Sequence, residues 1–289
     1  MNGALVLDAP AKLNLGLQVL GRRDDGFHEL VTVFQEIDLL DQLSLFPASE
    51  ISLQVRGLPV PEGEDNLVMQ AARLLADELG GSPGARLVLH KRIPAGAGLG
   101  GGSSDAASTL RGLNQLWGGG LEHEELRRLA LRLGSDVPYF LVGGTALGMG
   151  RGEAVCPLPD LPALAVCLIC PEQELSTPEV YKKGGFPLTV VRNYNIMNRF
   201  AQYALSGKGL DELVRNDLQE AATEMLPAID EWCARLRHQG ALAAALTGSG
   251  SAVYGLFPDA VAASKAAESL GTRTRIFLCS FRSGRTSGT

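Results

Sequence analysis

Apolar and polar residues alternate near the beginning of the chain, and this period of two predicts a β-strand. From Lys12 to Val19 every second residue is apolar, so Lys12 and Asn14 lie together on the opposite face. Three further runs are strand-like: residues 30–40, 51–55 and 86–89. The first part of the chain therefore contributes several strands.

Spacing typical of amphipathic helices is found between and after these strands. Asp65 or Asn66 can cap one helix, Ser103 or Ser104 can cap a second, and a third covers residues 122–133. The strands and helices do not follow a regular βαβ alternation, which favours an α+β fold over a doubly wound sheet.

A proline-rich segment at residues 156–162 marks a predicted domain boundary. The predicted domains are residues 1–157 and 158–289, and the last strand can pack on either of them. The second domain has these predicted elements: strands at 163–169, 252–257 and 275–281, helices at 194–205, 209–213, 225–239 and 260–270, and a loop at 177–187.

Composition and charge narrow the class of protein. The 289 residues are 45% hydrophobic, and a chain of this length can bury a sizeable core. The net charge of −6 offers no basic excess for nucleic acid phosphates, so binding to nucleic acid is not expected. The longest apolar runs, such as residues 163–170, fall short of the ~20 residues of a membrane-spanning helix, so no membrane association is expected.

The cysteines and the N-terminal residues indicate the compartment. The five cysteines are an odd number, and Cys167 and Cys170 lie in an apolar run that predicts a buried strand with inert thiols. No further Cys or His lies nearby in the sequence to complete a zinc site. The first residues lack the basic and apolar regions of a secretory signal. We therefore expect a protein of the reducing cytoplasm.

The strongest local signal is a glycine-rich loop between a predicted strand and a predicted helix. This first glycine loop consists of Pro94, Ala95, Gly96, Ala97, Gly98, Leu99, Gly100, Gly101, Gly102, Ser103 and Ser104. Glycine lets backbone N–H groups approach an anion, and the helix N-terminus adds positive potential, so the loop suits a phosphate group. The serines can cap the helix, bind phosphate oxygens or bind a cation. A flexible loop with an ordinary helix cap is the alternative.

The kind of phosphate ligand does not follow from the loop alone. The chain has no Walker sequence. Gly96, Gly98 and Gly101 fit the dinucleotide pattern G-x-G-x-x-G, but a second helix follows where a Rossmann unit needs a strand.

Three other features are ambiguous when each is taken alone. Asp136, in Gly-Ser-Asp-Val-Pro, has the position of a helix cap, and Lys12 that of a solvated strand lysine. The sequence Thr-Gly-Ser-Gly-Ser at residues 247–251, the second glycine loop, predicts either a turn or a second anion-binding segment.

The chain contains three motifs in this order: Pro-Ala-Lys-Leu-Asn-Leu at residues 10–15, the first glycine loop and the second glycine loop. Together they resemble the three motifs of the GHMP kinases, which include galactokinase, homoserine kinase and mevalonate kinase. The segment Gly-Arg-Arg-Asp-Asp-Gly-Phe-His-Glu-Leu at residues 21–30, and the long Gly-Gly-Gly-Ser-Ser form of the first loop, resemble the members that phosphorylate a cytidine-diphosphate-linked methylerythritol.

This resemblance implies a two-domain fold with the active site in the cleft between the domains. It implies ATP-dependent phosphorylation of the 2-hydroxyl of the methylerythritol group, a step in the non-mevalonate route to isoprenoid precursors. Asp136 matches the catalytic base and Lys12 its electrostatic partner, while Asn14 would position the substrate. The first glycine loop would wrap the ATP phosphates, and Mg²⁺ is expected, with Ser104 as one possible ligand.

The cytidine end of such a substrate requires a pocket that recognises the base. His28 matches a cytosine-binding histidine, and Phe27 stands beside it where the family often has tyrosine. Tyr181, followed by Lys182, matches an aromatic residue that stacks on the base. In the second glycine loop the residues expected to face the diphosphate are Gly248, Ser249 and Gly250. An ordinary surface or core histidine and a packed loop tyrosine are the alternatives.

Three other functions compete with this interpretation. A homoserine or mevalonate kinase has the same fold, but its substrate carries no nucleobase for residues 25–28 to bind. A non-catalytic GHMP-fold sensor could dispense with Lys12 or Asp136, and both are present. A dinucleotide-dependent oxidoreductase conflicts with the order of elements. The sequence does not indicate an oligomeric state.

Overall fold

The computed structural model describes residues 4–81, 83–186, 195–271 and 274–284. The strands are β1 Leu5–Arg22, β2 His28–Ala48, β3 Ile51–Gly57, β4 Gly84–Lys91, β5 Thr145–Gly150, β6 Ala154–Pro157, β7 Ala165–Cys170, β8 Arg215–Asn216, β9 Ala243–Leu246, β10 Val253–Phe257 and β11 Arg275–Ser280. The helices are α1 Leu67–Glu78, α2 Gly101–Leu116, α3 His123–Leu133, α4 Val137–Val142, α5 Thr177–Gly184, α6 Ile196–Ser206, α7 Leu210–Leu213, α8 Gln219–Met225, α9 Ala228–His238 and α10 Ala260–Leu270.

The mixed α+β class predicted from the sequence is confirmed, and the periodic segments have their predicted type. The early strands are longer than the alternation indicates, because β1 and β2 continue beyond the predicted segments. Asn66 caps α1, accepting a hydrogen bond from the Val68 backbone N–H.

Two predictions in the second half of the chain are wrong. The predicted loop at 177–187 contains the helix α5, in which a proline in the first turn is compatible with a helix and Val180 packs into the core. Residue 187 of that loop, like residue 194 of the predicted helix 194–205, lies outside the described residues. The helix predicted at 225–239 is α9, but its predicted start is wrong: Met225 is the last residue of α8, a helix that was not predicted, and α9 begins after Pro227.

The described chain divides into two interleaved units. Unit 1 comprises Met1–Ala11, Leu39–Ala95 and Gly100–Val142, and unit 2 comprises Lys12–Asp38, Gly96–Leu99 and Gly143–Thr289, each within the described residues. The division falls inside β1 and β2, so each of these strands contributes to both units. The predicted boundary between residues 157 and 158 remains a prediction.

Unit 1 is a small sheet with a group of helices. The second half of β2 pairs antiparallel with β4, which pairs parallel with β3. Helix α1 connects the parallel strands β3 and β4, as a parallel pair requires. Helices α1 to α4 pack on one another, and the apolar face of α1 is buried, including Val68, Ala72 and Leu75.

Unit 2 contains two groups of strands. The first half of β2 pairs antiparallel with β5, β5 pairs with β6, and β1 pairs parallel with β8 at Gly16 and Leu17. A separate antiparallel sheet has the strand order β11-β7-β10-β9, so the last strand joins unit 2. Its core includes side chains from α5, α8, α9 and α10, among them Val180, Ala222, Cys233 and Ala266.

The cysteines agree with the expectation of inert thiols. Cys167 and Cys170 are buried in β7, and burial raises the pKa of Cys167 to about 11 and that of Cys170 to about 12. Burial likewise raises the pKa of Cys233 and of Cys279 to about 12, while Cys156 is exposed. Within the part of the chain that the structure describes, no helix combines the length and the apolar character of a membrane span.

Candidate active site

Lys12 and Asn14 lie on the same face of β1, as their alternation predicts, but this face is buried in unit 2. Both residues are 3% exposed. The Lys12 Nζ donates hydrogen bonds to the Asn14 Oδ1 at 2.6 Å and to the Gly98 carbonyl oxygen at 2.9 Å. The interpretation of Lys12 as a solvated strand lysine is therefore wrong, and its ammonium group is held against the first glycine loop.

Asn14 is itself fixed by hydroxyl groups from three other segments of unit 2: β2, β10 and the second glycine loop. Its Nδ2 donates to the Thr32 Oγ1 at 2.8 Å, and its backbone N–H donates to the Thr247 Oγ1 at 3.1 Å. The Tyr254 hydroxyl donates to the Asn14 carbonyl oxygen at 2.9 Å. Because these bonds fix the amide and its backbone, Asn14 positions Lys12 in the structure, and substrate binding by Asn14 remains a prediction.

The two glycine loops approach each other closely within unit 2. The Thr247 Oγ1 donates to the Gly98 carbonyl oxygen at 3.3 Å, and the Leu99 carbonyl oxygen accepts the Lys12 backbone N–H at 3.0 Å. Gly98 has φ +77, and a Cβ there would collide with the Thr247 carbonyl oxygen. Both the conformation and the lack of space require glycine at this position.

The rest of the first glycine loop belongs to unit 1 and leads into α2. The helix begins at Gly101 after Gly100, which is the N-cap residue with φ 70 in the left-handed region. The predicted capping by Ser103 or Ser104 is wrong, because both lie inside the first turn of the helix. The remaining loop residues are Pro94 and Ala95 before the helix and Gly102 within it.

Ser104 has an unusual environment for a hydroxyl group. Its side chain is fully buried, and its Oγ has no hydrogen-bond partner among the described residues. A buried polar atom without a partner is costly, so it usually indicates a ligand, an ion or a water molecule. The position of Ser104 in the first turn of a 16-residue helix is compatible with a ligand of the phosphate-bound cation.

A cluster of three charged residues, the Lys91 cluster, lies beneath the start of α2 in unit 1. The Lys91 Nζ donates to the Asp41 Oδ2 at 2.5 Å and to the Asp105 Oδ2 at 2.6 Å, and all three side chains are buried. The Asp41 Oδ1 also accepts the backbone N–H groups of Arg92 and Ile93, which precede the loop.

The Asp105 carboxyl group has a strongly altered acidity. Burial raises its pKa to about 7; the charge of Asp41 adds to the shift and that of Lys91 opposes it. The two aspartates raise the pKa of Lys91, although burial opposes this. The Lys91 cluster thus fixes both ends of the unit 1 part of the loop with buried charges.

Asp136 lies in unit 1, immediately before α4. It is partly buried, and α4 packs against α2 and α3. Asp136 directly precedes α4, which begins with Val137 and Pro138, so it has the helix-cap position that the sequence predicts. Catalysis by Asp136 remains a prediction.

In unit 2, His28 forms an aromatic cluster with Tyr181 and Phe186. The His28 and Tyr181 rings are stacked with centroids 4.7 Å apart and an interplanar angle of 23°. The Phe186 ring meets both edge-on, at 5.8 Å from His28 and 6.3 Å from Tyr181. Burial, with the nearby charge of Arg22, lowers the pKa of His28, so the imidazole is neutral at pH 7.

Phe27, which precedes His28 in the chain, has its ring against a cation. Its ring is 53% exposed, and the guanidinium carbon of Arg151 lies 4.6 Å from the ring centroid. Exposure of a large ring beside a cation is compatible with ligand binding. Arg151 follows β5, and Lys182 is exposed on α5 beside Tyr181.

The second glycine loop contacts both parts of the unit 2 site. Thr247 reaches the Lys12 side of the site, while the Ser249 Oγ lies 2.6 Å from the Oγ1 of Thr177, the first residue of α5. Gly248 and Gly250 have φ +56 and +94. The loop is buried, and its exposure to a diphosphate remains a prediction.

Comparison with known proteins identifies the family. The profile of the GHMP kinases N terminal domain matches residues 66–144, and that of the GHMP kinases C terminal domain matches residues 200–274. A 4-diphosphocytidyl-2-C-methyl-D-erythritol kinase of Moorella thermoacetica is 41% identical over 272 residues, which cover 92% of this chain and 94% of that protein. The chain therefore belongs to the GHMP kinase family, which confirms the resemblance found in its motifs.

Solved structures agree with this assignment. The crystal structure of a 4-(cytidine 5'-diphospho)-2C-methyl-D-erythritol kinase matches with a TM-score of 0.82 and 36% identity, covering 97% of this chain and all of that one. A homoserine kinase from Cytophaga hutchinsonii matches with a TM-score of 0.76 at 19% identity, which shows a shared fold. The protein is an ATP-dependent small-molecule kinase.

Several residues of the site were missed in the sequence. Thr32, Arg151 and Phe186 carry no local motif, and their roles depend on contacts that the fold creates. The charged residues of the Lys91 cluster were also missed, although Asp41, an acid that directly follows Leu39 and Leu40, offered a signal. Thr247 was recognised as part of a motif but not as a partner of Asn14.

Proposed function

We propose that this kinase transfers the γ-phosphoryl group of ATP to the 2-hydroxyl of 4-diphosphocytidyl-2-C-methyl-D-erythritol, in the non-mevalonate route to isoprenoid precursors. The relatives named for this activity match nearly the whole chain and support the proposal. The observation that carries the choice of acceptor is the aromatic cluster at His28. A substrate without a nucleobase, such as homoserine or mevalonate, has no use for such a cluster.

Recognition of cytosine fits the chemistry of these side chains. A neutral imidazole has one hydrogen-bond donor and one acceptor, which complement the amino group and ring nitrogen of cytosine. Tyr181 offers a ring on which a base can stack, worth ~1–3 kcal/mol. In the structure His28 itself covers one face of Tyr181, so the base either stacks on the other face or displaces His28.

In the phosphoryl transfer, Asp136 accepts the proton of the attacking 2-hydroxyl. Lys12 stabilises negative charge on the transferring group, and its burial strengthens this interaction because little water screens it. The hydrogen bonds to Asn14 and Gly98 hold the lysine in place, so it need not reorganise during the reaction. Arg151 and Lys182 supply positive charge for the substrate diphosphate.

ATP binds through the backbone of the first glycine loop, and Mg²⁺ binds with its phosphates. The described residues contain no group of three His, Cys, Asp or Glu side chains that could hold a metal ion. Mg²⁺ is commonly held by phosphate oxygens, water molecules and one or two protein ligands. The unpartnered Ser104 hydroxyl is the residue that we assign as one such ligand. When bound, such an ion would neutralise triphosphate charge.

The test is ADP release by the purified protein with Mg·ATP and four separate conditions: 4-diphosphocytidyl-2-C-methyl-D-erythritol, mevalonate, homoserine and no acceptor. We expect turnover with the cytidylyl substrate alone. Turnover with mevalonate or homoserine instead would leave the kinase class intact and refute the proposed acceptor.

The role of Asp136 is tested in the same assay. Replacing a general base by an isosteric amide typically costs 10²–10⁴-fold, so we expect Asp136→Asn to lose about that factor in kcat. Binding of ATP, measured by calorimetry, should be retained. Asp160→Asn, at an exposed position of unit 2, is the matched control and should keep its activity. Full turnover by Asp136→Asn would show that another group is the base.

A further inference from the structure

Asn216 is a buried amide that neither the motifs nor the family matches assign to the site. It is 7% exposed and lies in the two-residue strand β8. Its Nδ2 donates to the Leu246 carbonyl oxygen at 3.0 Å and to the Gly248 carbonyl oxygen at 2.7 Å. These two carbonyl groups flank Thr247, so one amide group spans the beginning of the second glycine loop.

The amide is itself held in a fixed orientation. The Asn216 Oδ1 accepts the Leu218 backbone N–H at 2.9 Å, which directs the NH₂ group toward the loop. Pairing of β8 with β1 places Asn216 opposite Leu17. The Asp217 Oδ2 accepts the Val19 backbone N–H at 3.1 Å, which adds a second connection to β1. Asn216 thus connects the strand that carries Lys12 to the second glycine loop.

What depends on this connection is the position of Thr247. Its hydroxyl group accepts the Asn14 N–H and donates to the Gly98 carbonyl, and Lys12 binds both Asn14 and Gly98 through their oxygens. A shift of the loop would therefore disturb both partners of the lysine. Misplacing a catalytic group by about 1 Å can cost on the order of 10²-fold in rate.

We propose that Asn216 is a positioning residue for phosphoryl transfer, acting through Thr247 on the partners of Lys12. It makes no contact with substrate or nucleotide in this role. The inference rests on the proposed function only in assigning Lys12 to the transfer step, and it applies to whichever acceptor the wild-type protein phosphorylates.

The test uses Asn216→Asp, which keeps the acceptor for Leu218 but replaces the donor with an oxygen that repels both carbonyl groups. We expect kcat to fall about 10- to 100-fold with a much smaller change in KM, because the disturbed partners of Lys12 act in the transfer step. The matched control is Asn114→Asp. Asn114 also bonds a backbone carbonyl and N–H, those of Leu121, away from this loop. It should lose stability without losing kcat.

A double-mutant cycle distinguishes positioning from a general loss of structure. If Asn216 acts through Thr247, then Asn216→Asp should add no further loss when Thr247 is already changed, so the double variant should be no slower than Thr247→Val alone. Effects that multiply would overturn the proposed route. Equal losses of kcat in Asn216→Asp and Asn114→Asp would also overturn it.

A readout that needs no substrate keeps this test separate from the proposed function. Hydrogen exchange of a peptide covering residues 246–252 should be faster in Asn216→Asp than in the wild-type protein and unchanged in Asn114→Asp. Unchanged exchange in both variants would overturn the inference even if no acceptor were turned over. Should Asn216→Asp not fold, Asn216→Ala removes the same donors without adding charge, and Asn114→Ala becomes its control.

Discussion

The two glycine loops are supported by opposite kinds of chemistry. In unit 1, the start of α2 rests on the Lys91 cluster, in which one ammonium group is buried between two carboxyl groups. In unit 2, the second glycine loop is held by neutral groups, the Asn216 amide and the Thr247 hydroxyl. Both supports are buried, and both bind backbone groups next to a loop.

The two supports differ in how they respond to the loss of one side chain and to a change of pH. A buried ion pair is strong only while it is complete, because removing one partner leaves an uncompensated charge. A neutral amide does not titrate, and the loss of its hydrogen bonds has a smaller cost. The structure therefore predicts that stability and its pH dependence are concentrated in the unit 1 support, whereas catalytic positioning depends on the neutral support of unit 2.

The largest effect is expected for Lys91→Met. This change leaves Asp41 and Asp105 buried without a cation, and breaking a buried ion pair in this way costs about 3–5 kcal/mol. The free energy of unfolding, measured by urea denaturation, should fall by about this amount.

The control for this prediction is Arg127→Met, which breaks the Arg127–Glu124 pair. The Glu124 side chain is 72% exposed and that of Arg127 36%, so the loss of this pair should cost less than about 1 kcal/mol. Equal costs for the two variants would remove the contrast between a buried and an exposed pair.

A second effect concerns the pH dependence of stability. The pKa of Asp105 is raised to about 7 in the fold from an ordinary value of 3.8, so the folded protein retains a proton that the unfolded chain releases. The stability that this proton confers is complete below about pH 4 and is lost as the pH rises toward 7. Relative to Asp105→Asn, the wild-type free energy of unfolding should decrease across this window. A difference that stays constant between pH 4 and 7 would contradict the assignment.

The smallest effect is expected on KM in unit 2. The titrating group there is His28, because the amide and hydroxyl groups that hold the second glycine loop are neutral. Burial lowers its pKa from the ordinary value of 6.5, so the imidazole gains its proton only below pH 6.5. KM for the cytidylyl substrate should rise below that pH, while KM for ATP should not. His28→Gln, which keeps a donor and an acceptor, should give a flat profile. A pH-dependent KM in His28→Gln would assign the titration to another group.

The elements with clear periodicity were predictable, and the short ones were not. The alternation around Lys12 identified β1, and the spacing after Asn66 identified α1, because each buries one regular face. The two-residue β8 and the four-residue β9 are too short to show a period. Helix α5 was missed because its proline and terminal glycines are typical of loops when the burial of Val180 is not known.

For the site, motifs located the residues but not their partners. Lys12, Asp136 and the first glycine loop were found because the family shares their sequence. The bonds of Lys12 to Gly98, of Asn14 to Thr247 and of Asn216 to Gly248 join residues 86, 233 and 32 positions apart, and no local pattern encodes such contacts. Capping of α2 was mispredicted because a left-handed glycine took the position expected for a serine.

The placement of the cysteines has a practical consequence for spectroscopy. Thiol reagents attack thiolates, and four of the five cysteines are both enclosed and too weakly acidic to ionise near neutral pH. Cys156, exposed in β6, is thus a natural attachment point for one fluorophore or spin label without prior mutagenesis. The native chain can therefore be labelled at a single site. The probe would lie on β6, which pairs with β5, and Arg151 directly follows β5.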